Sequence, residues 1–337
     1  MVRIVNWILT RRCNLRCDYC GIVKVRGEER ISHYKKNEIP AERVITLLNK
    51  FKTYNPDIFH IFYGGEPFLR GDLSDILKFC NENDIYYTII SNCTPDIQPK
   101  ILRVMDEVGG FRGFTGSVDP VMLQEPTDSH TQLKSSAAFG FLMQMKNYVD
   151  DVVAEVTMTK DTLDKTYDLI KMLSSGGIYT SLTALDINKN YLYDFSAYSA
   201  TCRLIKESRK SKELYWNIMA DETLLIHMKD EVLPMLFRYI SSDYNCENEK
   251  TIHNLTIDSD GKVRTCLRIR GNMMPNHIND KNLFLINVNS EYYLNPFIFH
   301  CMEYDRYYWC QGCNHTCVMM SNYIEYREGS SNKILDH

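Results

Sequence analysis

No apolar run in this 337-residue chain is long enough to cross a bilayer as a helix. The opening segment, Met1 to Thr10, lacks the charged n-region and apolar h-region of a secretion signal. Basic residues are not in excess: 39 Lys and Arg stand against 43 Asp and Glu, a net charge of -4, so no global field attracts nucleic acid. Low-complexity tracts and short-period repeats are absent as well. These absences lead us to expect a soluble cytoplasmic protein with neither a membrane nor a nucleic-acid partner. The length is generous for one domain and comfortable for two, with ample apolar content for a core.

Cysteine is abundant, at 12 residues, which without a secretion signal points to a reducing compartment. Three of them form the run Cys13-Asn-Leu-Arg-Cys17-Asp-Tyr-Cys20, a C-x3-C-x2-C spacing. Thiolates at this density bind iron–sulfur clusters or zinc. Three ligands, where a four-iron cluster needs four, leave one metal position open for chemistry. A structural zinc site closes with four protein ligands, and the next cysteine, Cys80, lies far away in a helical pattern. An electron-transfer ferredoxin would supply its fourth cysteine locally.

From residue 2 to about 188, strand-like apolar runs alternate with amphipathic stretches, the pattern of βαβ units and a parallel sheet. Strands are expected over Val2–Leu9, Ile58–Tyr63, Ile85–Ile90, Phe111–Val118, Val152–Met158 and Thr180–Leu185. Helices are expected over Ala41–Tyr54, Leu73–Glu82, Gln98–Val108, Ala137–Val149 and Leu163–Leu173. The first strand delivers the cysteine run at its C-terminal end. The second is followed by Tyr63-Gly64-Gly65-Glu66-Pro67-Phe68, the third ends in Ser91-Asn92-Cys93-Thr94, and the fourth ends in Gly116-Ser117-Val118-Asp119.

This set resembles the radical S-adenosylmethionine (radical SAM) superfamily. Its signature is C-x3-C-x2-C with an aromatic residue before the last cysteine, here Tyr19, and a Gly-Gly-Glu-Pro turn one βα unit later. The resemblance implies a partial (β/α)6 TIM-like barrel over residues 1–190, with function at the C-terminal strand ends. It implies that Cys13, Cys17 and Cys20 hold a [4Fe–4S] cluster whose fourth iron is chelated by SAM. One electron then cleaves SAM to a 5′-deoxyadenosyl radical, which abstracts a hydrogen atom from the substrate. It also implies SAM contacts from Tyr19, Gly64, Gly65, Glu66, Pro67, Asn92, Ser117 and Asp119, with Glu66 facing the SAM ammonium and Asn92 facing SAM or the cluster loop. Cys93 departs from the family's glycine, and Pro120 departs from another. On the fifth strand, Glu155 and Thr157 alternate with apolar neighbours and are candidates to face the barrel interior.

The βα rhythm stops after residue 190, and a helical bridge is expected over 191–242, apolar from Thr223 to Ile240 with a kink at Pro234. Asp260-Gly261, between two β-patterned runs, signals a hairpin. Around it lie Cys246 and Cys266, and beyond it Cys301 and Cys310-Gln-Gly-Cys313-Asn-His-Thr-Cys317. This arrangement is similar to the SPASM and twitch extensions of radical SAM enzymes, and implies a small auxiliary-cluster domain over 243–325. No cysteine follows Cys317, so a single auxiliary [4Fe–4S] cluster is expected, held by four of Cys246, Cys266, Cys310, Cys313 and Cys317; the first four are preferred and Cys317 is the alternate. A zinc-ribbon-like site has compatible ligands. Cys80 and Cys202 read as buried small hydrophobes, His227 and His253 as structural residues, and the aromatic run from Tyr304 to Trp309 as packing or a pocket wall.

Enzymes with such extensions modify peptide or protein side chains, or oxidise small molecules as the twitch-type alcohol dehydrogenases do. Either reading needs a small-molecule or peptide substrate and a reductant such as flavodoxin or ferredoxin. Cys13 follows the first strand directly, so no N-terminal peptide-recognition domain is expected. The non-enzyme alternative is an iron–sulfur electron carrier or scaffold, which the complete set Cys13, Cys17, Cys20 and Glu66 argues against.

Overall fold

The computed structural model describes residues 4–15, 17, 38–123, 130–158, 162–184, 214, 217–218, 220–226, 254–261 and 263–264. Strands β1 (Ile4–Thr10), β2 (Phe59–Gly64), β3 (Tyr87–Ser91), β4 (Phe114–Val118), β5 (Val152–Met158) and β6 (Tyr179–Ala184) alternate with five helices. These are α1 (Ala41–Tyr54), α2 (Leu73–Glu82), α3 (Gln98–Val108), α4 (His130–Met145) and α5 (Leu163–Ser175). Two strands follow, β7 (Asn254–Ile257) and β8 (Val263–Arg264). The sheet order is β6-β5-β4-β3-β2-β1-β7-β8, parallel throughout except for antiparallel β8. The architecture is the α/β partial barrel expected from the sequence.

β1 lies between β2 and β7 and all seven of its residues are buried, as a parallel strand covered on both faces requires. α1 packs Val44, Leu47, Leu48 and Phe51 inward, spaced one and two helical turns apart on one face. Trp7 meets Phe51 edge to face, with ring centroids 6.0 Å apart, and donates its Nε1–H to His60 Nδ1 at 3.0 Å. The donor and acceptor satisfy each other in the core, and burial pulls the His60 pKa from 6.5 down to about 3. Cys80 is fully buried on α2 and behaves as the small hydrophobe expected of it.

Three differences from the sequence reading have physical causes. α4 begins at His130 rather than Ala137, because its first turns bury polar side chains: Lys134 and Ser135 turn inward onto Asp119. The helix expected from Thr223 is not formed over Thr223–Ile226. There Asp221 caps a turn by accepting from the Thr223 N–H at 3.0 Å, and Ile226 bridges to Thr180 beside β6. The Asp260-Gly261 turn does form between β7 and β8, with the Gly261 N–H on the Asp258 carbonyl at 2.8 Å and Gly261 at φ 80°. Its first strand, however, completes the core sheet by covering the second edge of β1. Among the described residues, no helix is long and apolar enough to cross a membrane.

Candidate cluster and cofactor site

The parallel register of β1 and β2 sets Thr10 beside Gly64, so the chain leaving β1 toward Cys13 runs against the Gly64–Pro67 turn. Backbone joins them: the Gly65 N–H donates to the Thr10 carbonyl and the Glu66 N–H to the Arg12 carbonyl, both at 2.7 Å. A Cβ on Gly64 would overlap the Thr10 carbonyl oxygen, and one on Gly65 would overlap that of Arg12. Gly64 also sits at φ 145°, a conformation few side chains permit. The two glycines are therefore required by the close approach of the cysteine segment's own backbone.

Glu66 is wholly buried. Its carboxylate accepts from the Phe68 N–H at 3.2 Å, from Ser91 Oγ at 3.1 and 3.2 Å, and from the Asn92 N–H at 2.9 Å. Burial raises its pKa to about 7 against the lowering effect of these donors. The carboxylate thus ties the end of β2 to the end of β3. Pro67 and Phe68, also buried, begin a short 3-10 turn there.

Held in this way, Asn92 presents its amide to the cysteine segment. Its Nδ2 donates to Asn14 Oδ1 at 2.8 Å and reaches Cys13 Sγ at 3.8 Å, while the Leu15 N–H reaches the same sulfur at 3.4 Å. Asn14 continues the network to Thr94 Oγ1 at 2.7 Å and to Asp96 at 3.0 and 3.1 Å. Cys13 and Cys17 are reduced and half-buried. A half-buried sulfur facing two N–H donors at the mouth of a parallel sheet fits a metal ligand. Cys93, standing where the resemblance leads one to expect glycine, keeps the glycine-like backbone at φ 51° with its thiol buried, and burial pushes that thiol's pKa up.

At the end of β4, Gly116 abuts Leu142 of α4, which turns Ser117 to the opposite, concave face. Ser117 lies in register with Glu155, and Glu155 with Ser181, so the three share that face. Asp119 is buried and accepts from Lys134 Nζ at 2.8 Å. Its backbone N–H also donates to Ser135 Oγ at 3.0 Å. This buried pair closes the β4–α4 junction.

The structure therefore brings together Cys13, Gly64, Gly65, Glu66, Pro67 and Asn92, with Ser117 and Asp119 at the end of the adjacent strand β4. Tyr19, Cys20, Cys246, Cys266, Cys310, Cys313 and Cys317 lie outside the described residues, as do Cys202, Cys301, His227, His253 and the Tyr304–Trp309 run. Sequence reasoning missed the side chains that hold the segment's ends. Arg12 forms a fork on Glu38 at 2.9 and 3.0 Å, and Thr10 Oγ1 donates to the same carboxylate. Arg70, nearly buried, reaches the Leu9 carbonyl at 2.9 Å, the Ile39 carbonyl at 2.6 Å and both oxygens of Asp72. Arg70 directly follows the Gly-Gly-Glu-Pro-Phe-Leu turn, and only that proximity hinted at its role.

Comparison with known proteins agrees with this geometry. Residues 7–121 match the model of the radical SAM superfamily. The AdoMet-dependent heme synthase of Nitratidesulfovibrio vulgaris is 23% identical over 241 residues, covering 70% of this chain and 61% of that one. The Fe-coproporphyrin III synthase of Methanosarcina barkeri is 29% identical over 135 residues, 35% of this chain and 32% of that one. Among solved structures, Streptococcus suis SuiB bound to S-adenosylmethionine superposes with a TM-score of 0.53 at 14% identity, covering 79% of this chain and 60% of that one. The anSMEcpe structure with bound AdoMet gives 0.50 at 17% identity, with 96% of both chains covered. The chain thus spans about three fifths of the length of the heme synthase and of SuiB. The family uses a [4Fe–4S] cluster with SAM, and the thiols, glycine turn and sulfur-directed donors found here fit that pair. The match covers residues 7–121, the stretch whose β1–β4 ends build this site, and over that stretch the chain is similar to the radical SAM superfamily.

Proposed function

We propose that the chain is a radical SAM enzyme with its cluster on Cys13, Cys17 and Cys20. The observation that carries this is the convergence of the cysteine segment, the Gly64–Glu66 turn and Asn92 at the C-terminal ends of β1, β2 and β3. Once bound, the cluster and SAM supply one-electron cleavage of SAM and hydrogen-atom abstraction from the substrate. Asn92 and the Leu15 N–H stabilise negative charge on Cys13 Sγ, and N–H donors to cluster sulfurs raise the potential at which a cluster accepts an electron. Glu66 acts by holding Asn92 in place, and this burial assigns it a role beside the ammonium contact expected from the sequence. Gly64 and Gly65 seat the cysteine segment. Tyr19, Pro67, Ser117 and Asp119 complete the cofactor surround in this reading.

The substrate in this reading is a peptide or protein side chain, or a small molecule, that is oxidised or otherwise modified. One auxiliary [4Fe–4S] cluster on four of Cys246, Cys266, Cys310, Cys313 and Cys317 would accept an electron or anchor the substrate. A flavodoxin or ferredoxin would supply the reducing electron. The fold similarity to SuiB, also solved with its precursor peptide SuiA, supports the peptide class. A second reading, a tetrapyrrole substrate, is favoured by the similarity to the heme synthase over 241 residues. The test is anaerobic reconstitution with iron and sulfide, followed by dithionite and SAM. An enzyme releases 5′-deoxyadenosine, whereas an electron carrier with the same iron content releases none. Titration with an iron porphyrin separates the substrate classes: a Soret shift at stoichiometric protein supports the tetrapyrrole, and its absence leaves the peptide or small molecule.

A further inference from the structure

The turn between β7 and β8 touches both ends of the segment that carries the three cysteines. Arg11, the residue after β1, donates through Nε to Asp258 Oδ1 at 2.9 Å and through a second N–H to Oδ2, a two-point fork. One residue on, the Ser259 carbonyl accepts the Ile39 N–H at 2.8 Å. Arg11 and Ile39 bracket Cys13, Cys17 and Cys20 in sequence. The Asp258 side chain is 1% exposed and that of Arg11 18%. Asp258 is itself fixed, since its Oδ1 accepts the Ser259 N–H at 2.8 Å and its carbonyl accepts the Gly261 N–H at 2.8 Å. The parallel register, Trp7 beside Ile257, places Asp258 at the C-terminal end of the sheet, where Arg11 emerges.

We propose that Asp258 is a positioning residue for the cysteine segment, so that the C-terminal part of the chain sets the geometry of the first cluster. The proposal rests on the radical SAM reading above. Of the other ties, Arg12 to Glu38 joins the two ends of the segment to each other, and Arg70 reaches the Leu9 and Ile39 carbonyls from the turn after β2. The Arg11–Asp258 fork reaches instead the turn that follows β7, 247 residues away in sequence, and the Ile39–Ser259 hydrogen bond reaches the same turn. That turn leads, through β8, toward the C-terminal cysteines. The coupling is reciprocal by linkage: what steadies the turn steadies the cysteine segment, and a cluster loaded on the segment steadies the turn. Breaking one partner of so buried a pair leaves the other charge without its counterion and penalises the assembled site.

The experiment uses the full chain, anaerobically reconstituted, as wild type, Asp258→Asn, Arg11→Gln and the double variant. The first readout is the rate at which an iron chelator removes the cluster whose EPR signal responds to SAM. The second is hydrogen exchange in residues 254–264 with and without that cluster. Each single variant is expected to lose the SAM-responsive cluster about tenfold faster, with the double variant no worse than either single one. Cluster loading is expected to slow exchange in 254–264 in the wild type and not in Asp258→Asn. Arg11→Lys, which keeps the charge without the fork, should fall between wild type and Arg11→Gln, and guards against a variant that merely misfolds. Variants that hold the cluster as the wild type does, additive losses, or an indifferent turn overturn the clamp alone. A wild-type chain that takes up no SAM-responsive cluster overturns the functional reading, and the proposal with it.

Discussion

Gly65→Ala is the substitution for which this structure makes the sharpest demand. The added Cβ would overlap the Arg12 carbonyl oxygen and lie 2.6 Å from its carbon, and both are backbone atoms that cannot rotate away. To relieve the overlap the chain must open the two hydrogen bonds of 2.7 Å that seat the cysteine segment, Gly65 N–H to Thr10 and Glu66 N–H to Arg12. Each bond contributes about 1 kcal/mol net, and overpacking costs about 1–3 kcal/mol. The loss is therefore about 3–5 kcal/mol, read in urea denaturation of the apoprotein as a lower midpoint at unchanged slope. Iron retained after reconstitution should fall with it. Gly71→Ala is the control, because a Cβ there meets no heavy atom within 4 Å. A Gly65→Ala protein within about 1 kcal/mol of wild type and with full iron content would refute the seating role of the turn.

Acid should weaken the apoprotein through His60. Its folded pKa, about 3, lies below the ordinary 6.5, so the unfolded chain takes the proton first. Stability is then complete above pH 6.5 and lost as pH falls toward 3, by up to about 1.4 kcal/mol per pH unit. In denaturation series against pH, His60→Gln, which keeps an acceptor for Trp7, should lack that slope. Glu66 works in the opposite direction, because its pKa is raised from 4.5 to about 7. Its contribution is complete below pH 4.5 and lost as pH rises through 7, so Glu66→Gln should remove that decline between pH 4.5 and about 7 from the same profile. Gly140→Ala, in α4 with nothing within 4 Å of the new methyl, should stabilise the apoprotein by about 0.5–1 kcal/mol in thermal or urea unfolding.

Where burial follows the local period, the elements were legible to the residue. The 3.6-residue spacing of Val44, Leu47, Leu48 and Phe51 gave the bounds of α1, and α2, α3 and β5 likewise. α4 was read late because Lys134 and Ser135 are buried by a tertiary partner, Asp119, that no local pattern announces. β1, β2 and β3 extend into Thr10, Gly64 and Ser91 because ladder hydrogen bonds continue after the apolar pattern stops. Thr223–Ile226 carries apolar residues at a spacing that suits a helix, yet the Asp221 turn and the bridge to Thr180 capture it. The candidate site was legible as motifs: the cysteine run, the glycine turn and Asn92. The reason for the glycines, the burial of Glu66 and the grip of Arg11, Arg12 and Arg70 on the cysteine segment depend on strand register. Register is a property of the assembled sheet, which one sequence does not display.

The most direct test of a SAM-cleaving cluster on the first three cysteines is EPR of the dithionite-reduced, reconstituted protein with and without SAM. Wild type is compared with a chain in which Cys13, Cys17 and Cys20 are all Ala. The expected result is a reduced [4Fe–4S] signal whose g-values shift on adding SAM, accompanied by 5′-deoxyadenosine. In the triple variant, both the shift and the 5′-deoxyadenosine should be gone, while the iron held by the C-terminal cysteines stays. A SAM-dependent shift or 5′-deoxyadenosine surviving in the triple variant, or its iron content matching wild type, would contradict that assignment.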